Sequence, residues 1–327
     1  MKIKTMLYVL VGIILFLALS SVFGGFKAKL SESNPQEIGQ ADEISIVSFN
    51  VGYLSMKLFG IKLLEPATFI PQRLEKLPEA IINTNADIIL LQEIYSEKYK
   101  KTLINKLEKT YPYAIYYKKA LFFDFGMSNG LMIISKFPIV NHDFKQFKNI
   151  TPHEKLLINK GYLYAEIKIS DDKTISIINS HNSARGIFNG ENAKYIVNLK
   201  SDQIKEIIEF ADSKNIQFIG GDYNCGPCFF PEMYGIFKTL NFLEAFELKY
   251  PNQKFVTWDI ENPLSQNDLF PDTPPQKDDH IFIKNNLAEK TDILNAEVIF
   301  DKKIVEINGE NYPLSDHYGV LATFKFK

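Results

Sequence analysis

Apolar residues recur with different periods along the chain, and each period predicts an element. In FIPQRLEKLPEAI, Ile70, Leu74, Leu77 and Ile81 fall on one helical face. ADIILLQEI (86–94) is an almost unbroken apolar run, the pattern of a central strand covered on both faces. ISIVSF (44–49) is a short β-rich run, and GLMIISKFPIV, GYLYAEIKI, TISIINSH, IQFIGGDYN, DHIFI, AEVIF and YGVLATFKF predict further strands. NAKYIVNLKSDQIKEIIEFADS predicts a second helix whose apolar side includes Ile196, Ile204, Ile207 and Ala211. Strands and helices interleave, with several hairpin-like strand pairs, which predicts two packed sheets with helices outside.

The amino-terminal stretch has a different pattern. Lys2 and Lys4 precede an uncharged run from Thr5 to Phe26, and its apolar core, Leu7 to Leu19, has signal-peptide length. Ala18-Leu19-Ser20 offers small residues for cleavage, and the whole run is also long enough for an uncleaved anchor helix. Either reading predicts export, secreted or membrane-anchored. Residues 1–26 are therefore expected to be a signal peptide or anchor, 27–42 a polar linker, and 43–327 a single catalytic domain.

The 327 residues are 46% hydrophobic, ample for a sizeable core, and the net charge of −2 provides no global positive field to recruit nucleic acid. Arginine occurs only at Arg73 and Arg185, which makes each worth locating.

Polar residues with metal- or proton-handling side chains gather where the predicted strands end. Asn50 follows the first strand, and Gln92-Glu93 end the second. Ser180-His181-Asn182 follow TISIIN, and Asp222 and Asn224 follow FIGG. Asp279-His280 open IFI, and Ser315-Asp316-His317 precede the last strand. Loops at one rim of a rigid sheet are where catalytic groups are normally carried. His142 and His153 fit no such motif and read as surface residues.

With SFNVG, LQEI, NSH, GGDYN, DDHIF and SDH in this order, the chain resembles the endonuclease/exonuclease/phosphatase superfamily of metal-dependent phosphoesterases. The motifs cover Ile44 to Phe326. The resemblance implies a four-layer α/β sandwich of two largely antiparallel sheets flanked by helices, here preceded by a hydrophobic amino-terminal helix. It also implies Mg²⁺ as cofactor, with Mn²⁺ as a substitute, held by Glu93 with Asn50 beside it and Asp316 nearby. Mg²⁺ favours hard oxygen ligands and keeps several waters, so one or two carboxylates suffice. His317 is then expected to take the proton of an attacking water, with Asp279 orienting its ring. Asp222 and Asn224 would hold that water and a phosphoryl oxygen, and His181 would donate to the phosphate or the leaving group.

Gly52 stands where the apurinic-site nucleases carry a second metal carboxylate, which counts against that branch. NKGYLYAEIKI (159–169) and TWDIENPLS (257–265) resemble stretches of the sphingomyelinase branch, although HNSARG after His181 departs from it. Arg185 and Trp258 are candidate substrate contacts. The expected activity is phosphodiester hydrolysis by a monomer, with a phospholipid headgroup favoured as substrate. An extracytoplasmic nuclease acting on nucleic acid is the alternative within the class, and an inactive binding module on the same fold the alternative outside it. Cys225-Gly-Pro-Cys228 has the spacing of a thioredoxin-type dithiol, but the match stops at four residues. The pair is expected to form a local disulfide or to remain a minor redox feature.

Overall fold

The computed structural model describes Gly12 and residues 25–32, 41–58, 61–120, 128–184, 193–228, 230–266 and 273–327. Two β-sheets form its centre. The seven-stranded sheet runs β1 (Gly25–Glu32), β6 (Tyr113–Ala120), β7 (Met132–Ser135), β5 (Ile88–Gln92), β2 (Glu43–Asn50), β17 (Gly319–Phe326), β14 (Thr291–Ile299). The six-stranded sheet runs β12 (Phe242–Glu244), β13 (Asp279–Lys284), β11 (Phe218–Asp222), β10 (Thr174–His181), β9 (Gly161–Lys168), β8 (Ile139–Gln146). Pairing is antiparallel except for β2 with β5 and β10 with β11. Two small hairpins, β3 (Met56–Leu58) with β4 (Ile61–Leu64) and β15 (Val305–Ile307) with β16 (Glu310–Tyr312), lie outside the main sheets.

The core divides by sheet face, as alternating side chains require. Between the sheets, Ile44, Ile46, Ile88 and Leu90 of one meet Leu163, Ile177, Phe218 and Ile281 of the other. On the outer face of the larger sheet, Val47, Phe49, Ile89 and Leu91 pack against α1 (Ile70–Asn83) and α2 (Glu97–Leu107). The expected apolar stripe of α1 (Ile70, Leu74, Leu77, Ile81) is buried there. On the outer face of the smaller sheet, Ile178, Ile219 and Phe282 pack against α4 (Ala193–Ser213) and α5 (Pro231–Thr239), which follow the short α3 (Pro152–Leu157). Two short helices, α6 (Ala245–Lys249) and α7 (Asn285–Ala288), flank β12 and β13. The layers are thus helix, sheet, sheet, helix, the sandwich expected from the sequence.

One segment departs from expectation. Gly25–Glu32 pairs along its whole length with β6, so the first part of the stretch read as a linker runs as an edge strand. β6 itself buries Tyr113, Tyr116 and Tyr117. The hydrophobic amino-terminal helix lies outside the described residues apart from Gly12. Among the described residues no helix is long and apolar enough to cross a membrane.

A buried ion pair closes one end of the smaller sheet. Lys277 Nζ donates to Glu244 Oε1 at 2.7 Å, and the Glu244 side chain also accepts from the Glu247 backbone N–H at the start of α6. Burial pushes the Glu244 carboxyl up, but Lys277 and His280 outweigh it and hold it near 2. A depressed carboxylate stabilises the fold above its unfolded pKa, and that stabilisation is lost as pH falls from about 4.3 toward the folded value. Between pH 5 and pH 2.5 the urea midpoint of the wild type is expected to drop more steeply than that of Glu244→Gln. At neutral pH the variant, which leaves Lys277 buried without its counterion, should be less stable by about 3–5 kcal/mol.

Candidate active site

Strand ends from both sheets converge on one point. Parallel pairing of β10 with β11 sets His181 opposite Asp222, and antiparallel pairing of β11 with β13 sets Asp222 opposite Asp279. Three site residues therefore form a row across the smaller sheet. Asn50, last residue of β2 in the other sheet, donates from Nδ2 to Asp222 Oδ2 at 2.9 Å. Glu93 follows β5 with φ 63°, a left-handed conformation uncommon for glutamate, which turns its side chain away from the line of the strand. Asn224 takes the same region at φ 52°, and its N–H donates to Asp222 Oδ1 at 2.9 Å.

His317 is held between two carboxylates. Its Nδ1 bonds Asp279 Oδ2 at 2.9 Å, and its Nε2 lies 3.9 Å from Asp222 Oδ2. An ionised carboxylate only accepts, so Nδ1 carries a proton and Nε2 is the atom that faces the site. Burial disfavours the charged ring, but Asp279 and Asp222, with Asp316 further off, outweigh it and raise the His317 pKa well above its usual value.

His181 has the opposite environment. Burial first, then the Lys160 cation, lowers its pKa to about 3, so the ring is neutral. Lys160 Nζ lies 3.0 Å from His181 Nε2 and donates to the Asn182 carbonyl at 2.6 Å. An ammonium can only donate, so Nε2 accepts and the ring proton sits on Nδ1. In this arrangement the expected donation from His181 to a phosphate is not available at Nε2, because Lys160 occupies it. Local structure explains the position of Lys160. Thr151 and Glu154 form a reciprocal cap at the start of α3, and Glu154 also accepts from Ser183 Oγ at 2.6 Å. Glu154 Oε1 then lies 3.7 Å from Lys160 Nζ, just past the end of α3.

Arg73 anchors the opposite wall. Fully buried on α1, it donates to the carbonyls of Thr68, Val51, Leu314, Gly52 and Ala67 over 2.7–2.9 Å. One guanidinium thus ties the turn after Asn50 to the turn before Asp316 and His317. Between those turns Gly52 has φ +59°, and a Cβ built on it would come within 2.3 Å of Asp316 Oδ1. A carboxylate at position 52 is excluded here by both backbone and space, and Asp316 fills the place instead.

The candidate metal ligands can be tested against this geometry. Burial first, and then Asp316, push the Glu93 carboxyl up to about 7. A carboxyl whose ionisation is disfavoured by burial and by a neighbouring carboxylate suits a bound cation. Among the described residues, Asp222, Asp279 and His317 offer one ligand atom each within 4.8 Å of one another. That trio includes an imidazole already engaged by Asp279, whereas Mg²⁺ prefers oxygen. The Glu93 side fits the expected ion better.

The remaining expectations separate clearly. Trp258 is bridged to both Gln276 and His317, and its side chain is 5% exposed, so it forms part of the wall beside His317. Arg185 lies outside the described residues. Both thiols are free, Cys225 buried and Cys228 exposed, so the local disulfide is not formed, and burial pushes the Cys225 thiol up, away from the reactive thiolate. Sequence reasoning did not place Glu154 or Lys200 in the site, although Lys200 Nζ supports the Asn224 carbonyl at 2.8 Å. It noted Lys160 only within the stretch 159–169. A lysine inside an apolar helical face at position 200 was a signal that could have been read.

Arg73→Met should orphan several buried carbonyls at about 1–3 kcal/mol each, and urea unfolding should register a loss of at least about 3 kcal/mol. Arg73→Lys should not restore stability, because three donors on one nitrogen cannot reach five diverging acceptors. An Arg73→Lys protein as stable as the wild type would show that the clamp is not needed.

Residues 47–317 match the Endonuclease/Exonuclease/phosphatase family. A sphingomyelinase C of Bacillus cereus is 26% identical over 349 aligned residues, covering 95% of this chain and 96% of that protein. The beta toxin of Staphylococcus aureus, solved as a double mutant with bound magnesium ions, superposes with a TM-score of 0.65 at 23% identity, over 86% of this chain and 99% of the toxin. A D. rerio TDP2 solved with a single-strand DNA product superposes with a TM-score of 0.62 at 17% identity, over 86% of this chain and 98% of that one. The matched span runs from β2 to His317 and holds every candidate catalytic and metal-binding residue, so the chain belongs to the endonuclease/exonuclease/phosphatase family.

Proposed function

We propose that this protein is a Mg²⁺-dependent phosphodiesterase acting outside the cytoplasm on a phospholipid of the sphingomyelin type. The observation that carries the reading is the Asp279–His317 pair aimed at Asp222, with Glu93 and Asp316 crowded beside it. Bound by Glu93 with Asn50 and Asp316, Mg²⁺, or Mn²⁺ in its place, would polarise a phosphoryl oxygen. The rest of the chemistry falls to the chain. Asp222 Oδ2 and His317 Nε2 are close enough for one water to touch both. A cation held among these carboxylates would offset the negative charge that raises the His317 pKa and so leave Nε2 unprotonated. His317 then takes the proton from that water as its oxygen bonds to phosphorus and the bond to the leaving oxygen breaks, the departing oxygen taking a proton from solvent. Asp279 keeps the other ring nitrogen protonated and offsets the imidazolium that forms. Asn224, fixed by the bond from its backbone N–H to Asp222 and by its left-handed backbone, donates from Nδ2 to the Asn182 carbonyl at 3.3 Å and keeps a second amide hydrogen for a phosphoryl oxygen. Lys160 sets a buried positive charge beside the row of strand ends, where it offsets charge accumulating on the phosphoryl group.

The lipid preference is supported by likeness to sphingomyelinases along nearly the whole chain and by the glycine at position 52. The likeness to a DNA-bound TDP2 keeps a nuclease as the second reading, which the net charge of −2 disfavours. The intact polar set argues against an inactive binding module. Export rests on Lys2, Lys4 and the uncharged run that follows them.

A substrate panel tests the reading: sphingomyelin, glycerophospholipids, inositol phosphates, and single- and double-stranded DNA, each with Mg²⁺ and with EDTA. Phosphocholine release from sphingomyelin in Mg²⁺, lost in EDTA and in Glu93→Gln, is expected, and cleavage of DNA alone would replace the lipid reading. His317→Ala should lose about 10²–10⁴-fold in kcat. Adding Asp279→Asn to it should cost little more, because the two act as a unit. A further loss equal to the full single-mutant effect of Asp279→Asn would separate their roles.

A further inference from the structure

The helix α4 carries two polar residues on its buried side. Lys200 and Gln203 stand three residues apart, on a face that also buries Ile196, Ile204 and Ile207, and each is 1% exposed. Burying an ammonium is costly, and burial pulls the Lys200 pKa down. Among the described residues Lys200 forms no ion pair. Its Nζ donates to the Asn224 carbonyl at 2.8 Å and lies 4.8 Å from the centre of the Phe230 ring. Gln203 grips the neighbouring loop: its Oε1 accepts from the Ser183 N–H at 3.0 Å, and its Nε2 donates to Ser183 Oγ at 2.9 Å. The loop that follows His181 and the loop that carries Asn224 therefore rest on one helix, joined by the bond from Asn224 Nδ2 to the Asn182 carbonyl.

The residues on either side of Asn224 have anchors of their own. The Tyr223 N–H donates to the Asp278 carbonyl at 2.9 Å. The Cys225 carbonyl lies 2.8 Å from His280 Nε2, which must carry a proton there because a carbonyl only accepts. At Asn224 itself, Asp222 holds the N–H and Lys200 holds the carbonyl. A bond from an ammonium is stronger than one between neutral groups. It fixes the far side of a peptide whose φ of 52° is left-handed, and so the direction in which the side chain leaves the backbone.

We propose that Lys200 is a positioning residue for the phosphodiesterase reaction, acting through Asn224. It orients that residue so that the amide hydrogen left free by Asn182 meets a phosphoryl oxygen. Lys200 itself stays behind the loop, sealed from solvent. The role rests on the catalytic reading given above.

A double-mutant cycle on the full-length protein in Mg²⁺, with sphingomyelin and with bis(p-nitrophenyl) phosphate as substrates, tests the role. Lys200→Met removes the charge and the donor but keeps most of the side chain's length. Asn224→Gly removes the amide and tolerates a left-handed backbone. Misplacing a catalytic group by about 1 Å can cost on the order of 10²-fold, so Lys200→Met, with native circular dichroism, should lose about 10–10²-fold in kcat. In the Asn224→Gly background the same substitution should lose less than about threefold, because no amide remains to be positioned. An equal loss in both backgrounds, which a generally loosened fold would give, overturns the proposal, as does native kcat in Lys200→Met. If Lys200→Met does not fold, Lys200→Gln, whose donor sits one bond nearer the backbone, goes through the same cycle. Failure of both to fold makes Lys200 a residue of the core alone and also overturns the role. A wild type that cleaves neither diester sinks the catalytic reading and this role with it. A wild type that cleaves either one, with no coupling between Lys200 and Asn224, sinks the role alone.

Discussion

The hydrogen bond from Asn50 to Asp222 joins the last residue of a strand in one sheet to the last residue of a strand in the other. Both residues are buried, and the acceptor is charged, which places the bond among the stronger ones a protein makes. It can form only if the sheets lie close at this end. Gly220 permits that approach, since a Cβ there would come within 2.4 Å of Leu90 across the interface. Gln92 and Asn179 add a second polar contact across the same gap at 2.8 Å. Once the gap is fixed, strand register does the rest, because His181 and Asp279 are paired directly with Asp222.

Neighbouring groups in this small volume are driven to different protonation states by surroundings alone. Glu93 is pushed up by burial and by Asp316, whereas Asp222, although more deeply buried, is drawn below its ordinary value because two histidines, Asn50 and Lys160 outweigh desolvation. The two imidazoles split likewise, one beside an ammonium and the other beside carboxylates. Such separation among similar groups is how one site can hold an acid, a base and an acceptor at a single pH.

Much of this was legible in the sequence. Buried strands announced themselves as continuous apolar runs, and the α1 stripe matched its burial residue by residue. The polar residues ending those strands were found because a strand end is a position that periodicity identifies. Elements without such a signal were missed. Gly25–Glu32 is an edge strand with alternating lysines that reads as linker, and β6 presents tyrosines to both faces of the sheet and so shows no period. In the site, Lys160 and Glu154 gain their meaning from a capped single-turn helix that folds back on the strand row, and no local pattern foretells that contact. The cysteine pair shows the converse. Its spacing was conspicuous, yet burial of Cys225 and exposure of Cys228 leave the two thiols in different environments.

The Arg73 clamp addresses main-chain oxygens only, at positions 51, 52, 67, 68 and 314. Every residue type carries a carbonyl, so the clamp places no demand of its own on side-chain identity at those positions. Divergence along these loops can proceed, and rim contacts with different substrates can be tried, while the frame that carries Asn50 and His317 stays in place. An ion-paired anchor would have required two residues to change in concert. Here a single codon holds the geometry, which makes position 73 intolerant of change, while its five partners answer only to their own packing and backbone, as Gly52 does.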